Sequence, residues 1–412
     1  MGTEHLKYMG SKRSLLENGL GKIILSECEN KKRFIDLFSG TGSVATYVAK
    51  STALEVVAVD LQVYSALMSD AVLSRTSPYN TQNIYTTWLP KISKKLRNSK
   101  LWQQIKELEA QAIKDTHYVF KTRKLCNQKS FIGPVWNAYG GYYFSALQAI
   151  TFDYMLKNLP EDDEMKKICH AAIISAASQC AAAPGHTAQP FNPEGNGLKY
   201  ILEAWKKDPI EYFKLGVEKI AKEYALVPGC GLSSDAETYT EFITNEDVVF
   251  LDPPYSGVQY SRFYHVLETI ARNKQYEVSG VGRYPSITER PQSEFSNVGS
   301  SKLALERLLK KLAATGATLI FTFPEKECSN GLSGDFIVDT AKEWFEIQTI
   351  TSNSKFSTMG GNNIHRDARM HYDELVLIMT NKNRKKKSFN KALYTIANIQ
   401  NSKINENAIQ FS

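Results

Sequence analysis

The run Val248-Val249-Phe250-Leu251 followed by Asp252-Pro253-Pro254-Tyr255 constrains this chain more than any other stretch. The first four residues read as a buried strand. Two consecutive prolines cannot donate to a ladder, so the strand stops at Asp252. A carboxylate, a free carbonyl and an aromatic ring are left together at the strand's carboxyl end, the edge along which open α/β sheets bind ligands. Hydrogen-bond acceptors beside a flat stacking surface suit an exocyclic amine on a planar base. The plainer alternative is a proline-rich strand terminator with a satisfied aspartate.

A second element lies far upstream. Arg33-Phe34-Ile35-Asp36-Leu37-Phe38-Ser39-Gly40-Thr41-Gly42-Ser43 reads as a short buried strand entering a glycine turn, with a helix starting at Val44. Gly40 and Gly42 permit backbone torsions and close approaches that a β-carbon resists. The helix amino terminus then presents unpaired N–H groups to a ligand. No third glycine completes the dinucleotide fingerprint. The next strand, Val56-Val57-Ala58-Val59, ends in Asp60 about twenty residues on, where an acid holds a ribose hydroxyl pair. The alternative for Asp60 is a helix cap or turn residue. Together these features describe a site for a nucleoside-bearing cofactor.

In this order, the two elements resemble the Dam-like class of DNA adenine methyltransferases, which use S-adenosylmethionine. Lys7-Tyr8-Met9-Gly10-Ser11-Lys12-Arg13 is similar to the family's opening motif, and the resemblance implies that Tyr8 and Lys12 touch the cofactor. Asp36, Phe38, Gly40 and Gly42 fall on the glycine-turn motif, Asp60 on the ribose acid, and Asp235 on an acid near the cofactor's adenine. The resemblance covers roughly residues 1–60 and 230–380. About two hundred residues separate the glycine turn from the tetrapeptide, which leaves room for a recognition domain. The aspartate at position 252 favours adenine; a serine there would point to cytosine.

The resemblance also implies a mechanism. Asp252 and the Pro253 carbonyl accept hydrogen bonds from the target amine, Tyr255 stacks on the purine, and Pro254 completes the catalytic tetrapeptide. Acceptors that gain interaction energy as the amine becomes positive favour the transition state over the ground state. Asp252 also borders the cofactor. The reaction is a direct displacement, so no cysteine has a role. The target nitrogen lies in paired duplex DNA, and the base must be extruded at a cost of about a few kcal/mol.

The formal net charge of +7 suits a polyanionic partner without identifying one. The six cysteines have no paired spacing, so neither a zinc site nor a disulfide framework is expected. The amino terminus is too polar for a signal peptide, no apolar run reaches membrane-spanning length, and the cytoplasm is the expected location.

The expected architecture is α/β: a Rossmann-like class I methyltransferase sheet built from residues 1–75 and 226–381. It carries a largely helical target-recognition insert over 76–225 and a basic tail over 382–412. Residues 13–30 have helical periodicity, and Ser145 or a neighbour caps a helix beginning at Ala146. The run from Lys91 to Lys114 reads as a solvated helix or a DNA contact, and residues 275–300 as a loop. Strands at 318–323 and 374–379 complete the sheet. Tyr260 and Arg262 follow the tetrapeptide closely enough to line a flipped-base pocket or grip a phosphate, with plain packing as the alternative. Arg366 and Arg369, in a basic hairpin or loop, are expected to meet phosphate.

The expected partner is double-stranded DNA, with a cognate restriction endonuclease as a further candidate. Two rival readings stay open. One is a methyltransferase acting on RNA or cytosine, and the other a non-catalytic DNA-binding module that keeps the fold.

Overall fold

The computed structural model describes residues 12–111, 114–128, 132–355 and 371–382. Tyr8, Arg366, Arg369 and nearly all of the basic tail lie outside the described residues.

The strands, in chain order, are β1 (Arg33–Asp36), β2 (Glu55–Asp60), β3 (Cys230–Ser233), β4 (Asp247–Leu251), β5 (Val278–Ser279), β6 (Tyr284–Pro285), β7 (Thr318–Pro324), β8 (Phe345–Lys355) and β9 (His371–Asn381). Seven of them form one sheet in the order β3-β2-β1-β4-β7-β9-β8, while β5 and β6 form a separate hairpin. The pairings from β3 through β7 are parallel, and β9 runs antiparallel to both β7 and β8. This is the Rossmann-like sheet expected from the sequence.

Strands buried on both faces read as continuous apolar runs, because each face needs its own cover. Ile35, Val57, Val249 and Leu319 point to a face covered by the helix Ser301–Thr315, through Leu305, Leu308 and Leu312. Phe34, Val56, Val248 and Ile320 point to the opposite face, against Val44, Ala45 and Val48 of the helix Ser43–Ser51. Phe34 is in register with both Val56 and Val248, so the layers align across strands. The chain leaves β1 in opposite directions toward β2 and β4, and a crevice opens outside the carboxyl ends of the strands at such a reversal.

Among the described residues the span from Ile84 to Ile220 contains helices and no strand. It does not bury its apolar surface alone. Phe152, Ile173 and Phe213 share one cluster with Tyr64 of the helix Val63–Leu73 and Leu267 of the helix Tyr260–Arg272. Asp153 is buried and accepts the backbone N–H groups of Val135 (3.0 Å) and Trp136 (2.8 Å), closing the first turn of the helix Pro134–Tyr139.

Several local expectations hold. Ser145 caps the helix Ala146–Lys157 in a capping box with Gln148. The helix expected over 13–30 forms but breaks at Asn18 and Gly19, where Gly19 takes φ 121°. The charged run becomes two helices, Leu89–Arg97 and Lys100–Gln111, which bury Ile92, Leu96 and Ile105. Other elements differ from expectation. β3 is too short and too polar to show a two-residue period, and β8, an edge strand beside β9, carries alternating polar residues. The segment 275–300 contains the β5–β6 hairpin where only a loop was expected. No helix among the described residues is long and apolar enough to cross a membrane.

Candidate active site

The glycine turn follows β1 directly. Gly42 adopts φ 72°, a torsion that favours glycine, and a β-carbon there would sit 2.5 Å from Ser69 Oγ, which would have to shift. The Gly40 N–H donates to Asp60 Oδ2 (2.9 Å), and the Gln62 N–H donates to Oδ1 (2.8 Å). Asp60 therefore fastens the turn to the end of β2. Burial pushes its carboxyl up to about 7, against the pull of those N–H groups. Asp36, at the end of β1, is 1% exposed; burial and the nearby Asp252 and Asp60 carboxyls push its pKa well above the ordinary range.

Asp252 emerges from β4 with its side chain 16% exposed. Lys12 Nζ lies 2.9 Å from Oδ1, and the Thr322 hydroxyl donates to the same oxygen at 3.1 Å. Among the described residues, Oδ2 has no hydrogen-bond partner. Glu374, fully buried on β9, takes the other side of the Lys12 ammonium. Burial works against that charge, but Asp252 and Glu374 outweigh it and hold Lys12 above its ordinary pKa. Burial pushes Asp252 up, and Lys12 and Thr322 pull it back.

The following loop is held from behind. Asn330, fully buried, donates from Nδ2 to the carbonyls of Pro254 (2.8 Å) and Phe295 (3.0 Å), and its Oδ1 accepts the Leu332 N–H at 3.2 Å. The Ser329 hydroxyl accepts the Gly257 N–H at 3.0 Å. Gln259 exchanges two hydrogen bonds of 2.8 Å with Ser293. The Pro254 carbonyl is thus occupied, while that of Pro253 accepts nothing among the described residues.

These pieces face one cleft of about 1030 Å³, open mouth included. Lys12, Asp36, Phe38, Gly40, Asp60, Asp235, Asp252, Pro253, Pro254, Tyr255 and Tyr260 all line it. Gly42 does not; it packs behind the turn. Asp235 stands exposed at the rim and caps the helix Ala236–Tyr239 through the N–H groups of Glu237 and Thr238. Tyr255 stands edge-on to Phe323 at 6.4 Å, and burial pushes its hydroxyl up to about 12. Arg262 lies outside the cleft, exposed, with its guanidinium 5.0 Å from the Tyr284 ring.

The cleft fits a ligand carrying positive charge and ribose-like hydroxyls. Among the described residues, four carboxyls (Asp36, Asp60, Asp252 and, at the rim, Asp235) and one lysine line it. Asp36 Oδ1 and Ser39 Oγ are buried without hydrogen-bond partners among the described residues, and buried polar atoms are rarely left so. Thr322 and Glu374 were legible only as polar interruptions of apolar strands. Asn330, Gln259 and Phe295 gave no sequence signal, since their roles depend on contacts between distant loops.

The family model for D12 class N6 adenine-specific DNA methyltransferases matches residues 8–132 and 206–314, more than half of the chain, and the chain belongs to that family. It is 25% identical over 280 residues to the type II methyltransferase M.FokI of Planomicrobium okeanokoites, covering 67% of this chain and 38% of that protein. It is 22% identical over 325 residues to the modification methylase LlaI of Lactococcus lactis subsp. lactis, covering 75% of this chain and 45% of that protein. A shorter match, 29% over 103 residues, joins 23% of this chain to 16% of the modification methylase StsI of Streptococcus sanguinis. The chain thus spans less than half the length of these relatives.

Proposed function

We propose that this chain transfers a methyl group from S-adenosylmethionine to the exocyclic N6 amine of adenine in double-stranded DNA, with the target base extruded into the cleft. The observation that carries the reading is the pair of open acceptors, Asp252 Oδ2 and the Pro253 carbonyl, beside neighbours that are already occupied. Two acceptors on one loop match the two protons of an adenine amine.

S-adenosylmethionine, when bound, supplies an electrophilic methyl group on sulfur. Asp36, Ser39 and Asp60 would hold it, with Phe38 against its adenine and Asp235 at the rim. Burial pushes the Asp252 carboxyl up while Lys12 and Thr322 pull it back toward the carboxylate, the form in which Oδ2 would accept a hydrogen bond. As the amine attacks and becomes positive, Asp252 and the Pro253 carbonyl strengthen their hold on its protons, which lowers the barrier. Tyr255 supplies a stacking face that fixes the direction of attack, and positioning accounts for much of the rate. Tyr260 would border the extruded base.

The helical span within 76–225 would serve target recognition, with 1–75 and 226–381 as the catalytic unit and 382–412 as a basic tail adding nonspecific affinity. Modification methylases among the relatives support a companion restriction endonuclease, and the cytoplasm as the place of action. Expression in a methylation-free host followed by single-molecule sequencing tests the reading. N6-methyladenine should mark one short motif and vanish with Asp252→Ala. Unmodified DNA beside modified transcripts would overturn it.

A further inference from the structure

Beside the cleft, four arginines gather on two tyrosine rings. The guanidinium carbons of Arg123 and Arg283 lie 4.5 and 4.1 Å from the centre of the Tyr142 ring. Those of Arg262 and Arg290 lie 5.0 and 5.4 Å from the centre of the Tyr284 ring. Arg283 and Tyr284 are adjacent in sequence, and the Tyr284 ring lies 4.7 Å from that of His265, which is 5.9 Å from that of Tyr143 beside Tyr142, so the two groups are neighbours.

None of these four arginines has an ion-pair partner among the described residues, whereas Arg33, Arg272 and Arg307 do. Their charged neighbours are one another. Burial lowers the pKa of Arg123, and Arg283 lowers it further; burial and Arg262 do the same to Arg290. Like charges packed this way repel, and no carboxylate among the described residues forms an ion pair with them.

The scaffold beneath is rigid. The Tyr143 hydroxyl sits between the carbonyls of Thr187 (2.8 Å) and Gly282 (2.9 Å), and His265 Nε2 lies 2.8 Å from the Gly282 carbonyl. The hairpin is thereby pinned to the helix Tyr260–Arg272 and to the helical span. Arg283 itself adopts φ 51°, a torsion uncommon outside glycine, and bonds to the carbonyls of Asn137 and Ala138. Arg123 and Arg290 each spend only Nε on a carbonyl, that of Gly141 (2.9 Å) and Pro285 (3.1 Å) respectively. Their terminal nitrogens make no hydrogen bond within the chain among the described residues.

A guanidinium stacked on a ring keeps its edge N–H donors for oxyanions. The feature also abuts the site. Tyr260 lines the cleft two residues before Arg262, and Pro291 lines it immediately after Arg290.

We propose that Arg123, Arg262, Arg283 and Arg290, stacked on Tyr142 and Tyr284, form a track for consecutive phosphodiesters of duplex DNA, seating the backbone beside the extruded base. A single small anion needs one or two of these charges, whereas a row of phosphates uses all four. The inference rests on the DNA reading above.

The test uses the full chain with all three arginines that keep free terminal nitrogens replaced (Arg123→Gln, Arg262→Gln and Arg290→Gln). Duplex binding is titrated over a range of salt. The slope of log affinity against log salt should fall by about 0.9 for each phosphate left without its arginine, and affinity at low salt by more than about tenfold. Arg→Lys at the same positions should keep the slope, and binding of S-adenosylhomocysteine should not change. A wild-type slope in the folded Gln variant overturns the track.

A second measurement needs no variant. Phenylglyoxal modification of the wild-type chain, read by mass spectrometry, should be blocked at these arginines by duplex DNA. Unprotected arginines in a saturated complex overturn the inference, as does protection by single-stranded RNA alone. Failure of the wild-type chain to methylate adenine would defeat the reading of function instead; normal methylation with unprotected arginines would defeat only the track.

Discussion

Asn330→Ala tests whether the tetrapeptide loop must be held from behind. The Asn330 side chain makes three hydrogen bonds, to Pro254, Phe295 and Leu332, and is fully buried. Each such bond contributes about 1 kcal/mol net, so their loss costs about 3 kcal/mol of stability, and more if the stranded carbonyls find no water. Asn330 does not line the cleft, so cofactor affinity should change little. The Pro254 carbonyl, however, is one peptide from the acceptor at Pro253. A shift of that loop by about 1 Å should lower the turnover of methyl transfer by about 100-fold.

The assay pairs denaturant unfolding with transfer of labelled methyl groups to duplex DNA, at saturating cofactor and below the melting temperature of the variant. Asn330→Asp keeps the acceptor for Leu332 but sets a carboxyl oxygen against two carbonyls in a fully buried position. It should be at least as slow as the alanine variant and lose at least as much stability. Wild-type turnover in a destabilised Asn330→Ala would refute the reasoning and leave the tether a purely structural device.

Lys12→Met strands Asp252 and the buried Glu374 without their counter-charge, which should cost about 3–5 kcal/mol in a melt at neutral pH. It should also raise the Asp252 pKa, moving the acid limb of the turnover–pH profile to higher pH; an unmoved limb would show that Lys12 does not set the ionisation. Asp153 is held at about 7 by burial, above the ordinary 3.8 of a free aspartate. The folded chain therefore keeps a proton that the unfolded chain releases, so its contribution to stability falls as pH rises from about 4 to about 7 and is level above. Asp60, also raised to about 7, adds to the slope with the same sign. Asp153→Asn should flatten denaturation midpoints across that window, and an unchanged slope would refute the assignment. Gly42→Ala should lose about 1–2 kcal/mol to its left-handed torsion alone. Adding Ser69→Gly should relieve the steric contact but not that loss, and full recovery in thermal melts would show that torsion does not matter there.

Much of the site was legible because its chemistry is written in short stretches. Prolines forbid a ladder wherever they occur, so the end of β4 and the place of Asp252 follow from four letters. Glycines that need positive φ or close approach mark the turn after β1 in the same way. The strands buried on both faces, β1, β2, β4 and β7, announced themselves by apolar runs, because both neighbours of such a strand exclude water. β3 and β8 carry no comparable pattern, since strands at the sheet's edges bury less of their surface.

The sequence alone therefore determined the sheet's central strands, the two turns at their carboxyl ends and the residue types gathered there. Tertiary structure decided which atoms remain available. Thr322 and Lys12 occupy one oxygen of Asp252, Asn330 occupies the carbonyl next to the one left open, and Glu374 sets the charge behind them. The same holds for the unpaired arginines around Tyr142 and Tyr284. Hydrogen bonds and ion pairs join groups that are neighbours in space while tens to hundreds of positions apart along the chain. No local pattern of residues encodes such a pairing; it exists only once the backbone has brought both partners within reach.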